Sequence, residues 1–126
     1  MNNSYQLIKK IIADRKYRLV KDDGEFLTIK YQMNSIHIYT NSEDEHFVSL
    51  VLTDFASVTE ENYLHVLATC HKLNAQIKQV KLYTSTDIII AACEFYYLKE
   101  EDLDFQIQQA LSALIAAKVN YRNSDR

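Results

Sequence analysis

A single glycine and no proline occur among the 126 residues of this chain. Loops that cradle phosphate groups need glycine at fixed positions, so the dinucleotide-binding and P-loop motifs are excluded. The turns must instead use Asn, Asp and Ser, which adopt left-handed backbone more readily than other residues with side chains. Candidate turns lie at Asp22-Asp23-Gly24, Asn34-Ser35 and Thr86-Asp87.

The composition is that of a folded protein, with 48% hydrophobic and 25% charged residues. It predicts a single domain over residues 1–126. The net charge of −3 opposes nucleic acid as a partner, because phosphate binding needs a basic surface. The chain contains no apolar run near the roughly 18 residues that cross a membrane, and its first residues lack a signal-peptide pattern. We expect a cytoplasmic protein without membrane association, in which Cys70 and Cys93 are buried thiols.

Helical spacing of apolar residues predicts three helices. The first begins at Ser4, the second opens at Ser57 or Thr59, and the third begins near Glu100. Acidic residues at the start of the third helix and basic residues at its end suit the helix dipole. Asn74 interrupts the apolar stripe of the second helix. Because a buried amide needs partners, we expect its side chain to cap that helix or to bond to the strand that follows.

Alternation of apolar and polar residues predicts five strands, at residues 25–32, 36–40, 47–53, 80–85 and 89–97. Short connections between such strands favour antiparallel pairing. Strands and helices are grouped rather than alternating along the chain. The fold class is therefore α+β, in the order α-βββ-α-ββ-α, with helices packed on an antiparallel five-stranded sheet.

This order and three sequence stretches resemble the YbjN-like family of bacterial proteins, which has the fold of type III secretion chaperones. The stretches are residues 25–30, residues 47–50 after an acidic loop, and the end of the second helix, where Leu73-Asn74 precedes a strand. The glycines common in the turns of the family are absent here. The resemblance implies a non-enzymatic, often dimeric protein that acts as a sensory-transduction regulator or as a chaperone-like binder.

Residues with catalytic or metal-binding chemistry do not fall into a productive pattern. His65 and His71 are six positions apart rather than four, and no CxxC pair occurs, so we expect no metal and no cofactor. Cys70 as a nucleophile would need an exposed, electropositive setting. The remaining enzymatic alternative is an acid–base pair of His37 and Glu94. Its only support is that the strand pattern could place both side chains on the same face of the sheet.

A more informative pattern is the set of side chains that alternate with the predicted core residues of the strands. It includes a candidate partner-binding surface formed by Tyr39, Val51, Tyr83, Ile90 and Tyr96. Tyrosine rings combine apolar area with a polar tip, which suits a surface that a partner covers at times. Tyrosine is also simply a favoured strand residue. The last strand is apolar on both faces, which suggests that a second subunit covers one of them.

We therefore predict a non-enzymatic cytoplasmic binding module, chaperone-like or regulatory, that recognises a protein partner and forms a homodimer. The alternative is a single-stranded nucleic-acid binder that stacks bases on Tyr39, Tyr83 and Tyr96. The acidic charge balance and the order of elements, which is not the βαββαβ order of common RNA-binding sheets, oppose that alternative. The identity of the protein partner is not encoded in any motif of the sequence.

Overall fold

The structure is a computed structural model that describes residues 3–53 and 55–124. It confirms the α+β class. The elements in chain order are α1 Asn3–Asp14, β1 Arg18–Asp22, β2 Phe26–Tyr31, β3 Asn34–Asn41, β4 Asp44–Leu52, α2 Tyr63–Gln76, β5 Val80–Ser85, β6 Ile88–Tyr96 and α3 Glu100–Ser124.

The strands form one antiparallel sheet in the order β1-β2-β3-β4-β6-β5. The prediction of five strands was wrong, because β1 adds a sixth at one edge of the sheet. All five residues of β1 are exposed, and a bulge between Leu19 and Lys21 shifts its register with β2. A strand without buried side chains and with a bulge has no period-two pattern for the sequence to reveal.

The helices pack on one face of this sheet. Leu27, Ile38, Leu50 and Cys93 are consecutive cross-strand partners on β2, β3, β4 and β6, and all four are buried. They belong to a single core cluster that also contains the buried side chains of α1, α2 and α3. Burial of an aliphatic side chain of this size stabilises the fold by about 1.5–3 kcal/mol. The residues that alternate with them point away from the helices.

Two of the three candidate turns, at Asp22-Asp23-Gly24 and at Thr86-Asp87, connect strands as predicted, but Asn34-Ser35 does not, and left-handed backbone falls on residues other than those expected. Five residues other than glycine have positive φ angles, and none of them is Asn, Asp or Ser: Lys16, Gln32, Met33, Gln79 and Thr86. The β2–β3 turn is Gln32-Met33, whereas Asn34-Ser35 begins β3. Pairing of the alternating apolar residues of the two strands fixes the register, with Tyr31 opposite Asn34, and leaves only residues 32 and 33 for the loop.

Two helix starts also differ from the sequence prediction. Ser4 lies inside α1 and is buried, rather than capping that helix. The α2 helix begins at Tyr63, so Glu60 and Glu61 precede its first turn. The intervening turn is held by reciprocal bonds, since the Asn62 N–H donates to Thr59 Oγ1 (3.2 Å) and the Thr59 N–H donates to Asn62 Oδ1 (2.7 Å). These bonds give partners to the backbone N–H groups of Thr59 and Asn62 in a turn that precedes the helix.

Candidate functional site: the open face of the sheet

The sheet face opposite the helices is here called the open face. Its residues alternate along each strand with the core residues, and cross-strand pairing places them side by side. The open face consists of Arg18, Lys21, Phe26, Thr28, Lys30, Ser35, His37, Tyr39, Phe47, Ser49, Val51, Lys81, Tyr83, Ser85, Ile88, Ile90, Ala92, Glu94 and Tyr96.

All five residues of the predicted partner-binding surface lie on the open face. Tyr83 and Ile90 are cross-strand partners on β5 and β6, and Val51 lies on the adjoining strand β4. Tyr39 and Tyr96 lie towards the other end of the face. Tyr39 and Tyr83 are each 41% exposed and Tyr96 is 60% exposed. The structure thus brings these side chains onto one surface, and their role in binding stays a prediction.

Two phenylalanines extend the aromatic part of this surface. Phe26 stacks on Tyr39 with ring centroids 5.1 Å apart, and Phe47 meets Tyr96 edge-on at 5.2 Å. Neither phenylalanine was among the predicted surface residues. Each alternates with a core residue of its strand, which is the signal that would have placed it on this face.

An open depression of about 520 Å³ lies at this aromatic end of the face. Phe26, Tyr39 and Phe47 form its apolar side, while Glu25 and the β3–β4 turn at Asn41 and Ser42 form its polar side. Aromatic walls with a few polar groups are typical of pockets that receive a side chain of a partner. The depression is therefore a concave part of the open face beside Tyr39.

Small side chains form the centre of the open face. Thr28, Ser49 and Ala92 are buried although no helix covers them. Longer neighbours shield them, including His37, whose Nδ1 lies 2.9 Å from Thr28 Oγ1. The face therefore has a shallow, dense floor between taller aromatic and basic side chains.

His37 is the titratable group nearest the middle of the open face. Burial lowers the pKa of its imidazole below 6.5, and the nearby Lys21 ammonium lowers that pKa further. Both effects disfavour the charged ring. His37 is therefore neutral at neutral pH.

The proposed acid–base pair is not assembled. His37 lies on β3 and Glu94 on β6, and the whole of β4 separates them, so the two residues are more than about 10 Å apart, which is the distance of two strand spacings. Glu94 is instead paired with Lys81, whose Nζ is 2.5 Å from the carboxylate. A proton cannot pass directly between groups so far apart.

The two cysteines occupy the core, as predicted. Cys70 and Cys93 are free thiols, each 4% exposed, and burial raises the pKa of both. A raised pKa keeps sulfur in the thiol form, whereas a nucleophile needs the thiolate. Over residues 3–53 and 55–124, His, Cys, Asp and Glu side chains form no group of three or more that could hold a metal ion. Within the same residues, no helix combines the length and apolar character needed to cross a bilayer.

Asn74 bonds to the strand that follows its helix, which is one of the two arrangements that the sequence predicted. Its Nδ2 donates to the Leu82 carbonyl (2.9 Å), and the Leu82 N–H donates to Asn74 Oδ1 (2.7 Å). Leu82 lies on the edge strand β5. A single amide side chain therefore takes the place that a neighbouring strand would occupy at this position.

No protein-family model and no curated protein sequence matches this chain. Solved structures do match it. YbjN from E. coli, described as a candidate transcription regulator, has a TM-score of 0.78 at 11% identity over 95% of this chain and 92% of that one. An uncharacterized protein from Methanothermobacter thermautotrophicus has a TM-score of 0.62 at 14% identity, over 98% of this chain and 99% of its own.

A chain from the HopA1–SchA chaperone–effector complex has a TM-score of 0.66 at 11% identity, over 98% of both chains. At such identities a structural likeness establishes the fold and not the activity. The fold expected from the resemblance is thereby confirmed: this chain has a YbjN-like fold that is also similar to that of a type III secretion chaperone complex.

Proposed function

We propose that this chain is a non-enzymatic cytoplasmic binding module, chaperone-like or regulatory, that engages a protein partner through the open face. The observation that carries the proposal is the presence of three exposed tyrosines on that one face, in a fold shared with a chain of a chaperone–effector complex. The partner-binding residues are Tyr39, Val51, Tyr83, Ile90 and Tyr96. Single-stranded nucleic acid, the alternative considered from the sequence, gains no support from the similar structures.

The chemistry of the open face supports a protein partner. Aromatic residues are enriched at protein interfaces because each buries a large apolar area at a low cost in side-chain entropy. The taller aromatic side chains around the floor of small residues are the ones that a partner would contact first. The depression beside Phe26 and Tyr39, at about 520 Å³, has room for a large side chain of a partner.

We also propose that the protein forms a homodimer, and that α2 provides the interface. Tyr63, Leu64 and Leu67 lie within two turns of this helix and are 46%, 79% and 37% exposed. Leucines exposed to this degree on one helix are typical of an interaction surface. An interface on α2 leaves the open face of each subunit available to the partner.

Affinity capture tests the partner proposal. The tagged chain is expressed in its own organism, and proteins captured by the wild type are compared with those captured by a variant carrying Tyr39→Ala, Tyr83→Ala and Tyr96→Ala. We expect the variant to lose a partner that the wild type retains. The matched control is Phe105→Ala, which removes a 65% exposed aromatic residue from α3 and should retain that partner. Equal capture by the wild type and the tyrosine variant would contradict binding through the open face.

A further inference from the structure

Three cationic side chains lie together at one edge of the open face. Arg18 and Lys21 are on β1 and Lys30 is on β2, and all three are exposed. Arg18 is the cross-strand partner of Lys30, and Lys21 is the partner of Thr28. We call Arg18, Lys21 and Lys30 the basic edge. It stands out because the chain as a whole carries a net charge of −3.

Among the described residues no carboxylate forms an ion pair with the basic edge, although the Lys21 charge reaches the Asp23 carboxylate and contributes to lowering its pKa. The ion pairs observed within residues 3–53 and 55–124 use other cations, namely Lys9, Arg15 and Lys81. The Lys30 ammonium donates to Ser35 Oγ (2.8 Å), and the Lys21 ammonium lies 5.0 Å from the centre of the Phe26 ring. Like charges directly opposite each other on neighbouring strands, such as Arg18 and Lys30, are destabilising. A bound anion would remove that repulsion.

The basic edge is continuous with the aromatic depression. Lys21 lies over Phe26, Phe26 stacks on Tyr39, and both rings line the depression. Phe26 and Lys30 are four residues apart on β2, which corresponds to about 13 Å of extended chain. An extended peptide of about five residues therefore reaches from the depression to the far end of the basic edge.

We propose that the open face binds an acidic segment of a protein partner. One aromatic or aliphatic side chain of the segment enters the depression, and carboxylates within about four residues of it pair with Arg18, Lys21 and Lys30. This inference rests on the proposed function and names the chemical class of the partner. Arginine can hold a carboxylate with two parallel hydrogen bonds, while the two lysines act as point charges.

The charge distribution favours a short acidic peptide over a nucleic acid. Glu94 lies on the β6 side of the open face, and Asp44 bonds to the hydroxyl of Tyr96 there, which raises the pKa of that phenol. A phosphate backbone that crossed the whole face would meet these two carboxylates. A peptide with a few carboxylates can end before it reaches them, so its charge stays on the side of the basic edge.

Selection from a random 16-residue peptide display library tests the inference. We expect the purified chain to enrich peptides that combine Asp or Glu with one large apolar residue. Binding of the enriched peptides, followed by fluorescence polarisation, should weaken roughly tenfold or more in Lys21→Glu/Lys30→Glu. The matched control, Lys10→Glu/Lys72→Glu, makes the same change in net charge with exposed lysines on α1 and α2 and should bind as the wild type does.

Two further measurements guard against loss of folding. Circular dichroism should be unchanged in both double variants, and Lys21→Arg/Lys30→Arg should keep most of the binding. Addition of an enriched acidic peptide should also raise the pKa of His37, observed by NMR, because a carboxylate near Lys21 offsets the charge that lowers it. If the basic edge has only a structural role, Lys21→Glu/Lys30→Glu should leave the peptide affinity unchanged. Addition of the peptide should then also leave the pKa of His37 unchanged.

The other outcomes separate this inference from the proposed function. Enriched peptides that lack acidic residues and bind equally to Lys21→Glu/Lys30→Glu would overturn the inference and leave peptide binding intact. Enrichment of no peptide at all would count against the proposed function itself. Displacement of the acidic peptides by poly(U) at a lower concentration than by the free peptide would overturn the inference in favour of a nucleic-acid surface.

Discussion

At the scale of single residues, the scarcity of glycine leaves strained positions in the turns. Met33 has a φ angle of 67° in the two-residue β2–β3 turn, and its side chain is 94% exposed. A residue with a Cβ atom pays about 1 kcal/mol for left-handed backbone, which glycine avoids. The sequence could not show which residues would bear this cost, because the register of the two strands decides it.

We expect Met33→Gly to raise the free energy of unfolding by about 1 kcal/mol, since it relieves this strain and removes no packed side chain. Urea denaturation monitored by circular dichroism measures the change. Met33→Ala is the control, because it removes the same exposed side chain and keeps the Cβ atom, so it should not stabilise the fold. A glycine variant no more stable than the alanine variant would show that the turn is not strained.

His37 provides a prediction of pH dependence. Its pKa in the folded protein lies below 6.5, so the unfolded chain binds the proton more readily. Stability should therefore fall as the pH drops from about 6.5 through the folded pKa, and His37→Gln should remove this part of the dependence. Denaturation at a series of pH values measures the effect, and an identical pH dependence in wild type and variant would contradict it.

The Lys21 charge accounts for the smaller part of that pKa shift. NMR titration should show the pKa of His37 rising in Lys21→Ala without reaching its ordinary value, because burial is the larger cause. Lys72→Ala, on α2, should leave the pKa of His37 unchanged. A full return of the pKa to its ordinary value in Lys21→Ala would mean that charge rather than burial controls this ring.

At the scale of elements, sequence periodicity predicted those strands that have a buried face. Alternation at Leu27 and Ile29, and again at Leu50 and Leu52, marks strands whose one face meets the helices. The edge strand β1 has no buried residue, so its pairing with β2 leaves no trace in the hydrophobic pattern. The α3 helix was predictable because its acidic first turn and Arg122 near its end reinforce its apolar spacing.

The contact between α2 and β5 can be tested through Asn74. We expect Asn74→Ala to lower the free energy of unfolding by about 1–3 kcal/mol, because both main-chain groups of Leu82 lose their partner at the sheet edge. Amide exchange at Leu82 should become faster in the same variant. Asn74→Asp keeps the acceptor and loses the donor, so it should preserve more of the exchange protection than alanine does. Unchanged exchange at Leu82 in Asn74→Ala would contradict this account of the edge.

At the scale of the whole molecule, three helices on one side of a sheet leave its other side uncovered. The five predicted surface residues could be placed on that side from alternation alone. The basic edge could not, because Arg18 and Lys21 join the face only through a bulged pairing of β1 with β2. In the sequence these residues are indistinguishable from ordinary solvated charges.

The proposed dimer gives a second prediction at this scale. Leu64→Glu/Leu67→Glu should convert a dimer into a monomer, because like charges would then face each other across an interface on α2. Sedimentation velocity over a range of concentrations measures the change. Tyr39→Ala/Tyr83→Ala should leave the dimer intact, since these residues lie on the open face. A wild-type chain that stays monomeric at high concentration would exclude the dimer.

Photocrosslinking in cells tests the role of the open face most directly. A photoreactive phenylalanine analogue is placed at Tyr39, Tyr83 or Tyr96, and in separate variants at the exposed α3 residue Phe105. The account predicts that the three sheet positions yield the same discrete adduct with another protein and that Phe105 does not. Adducts from Phe105 alone, or none from any position on the open face, would contradict it.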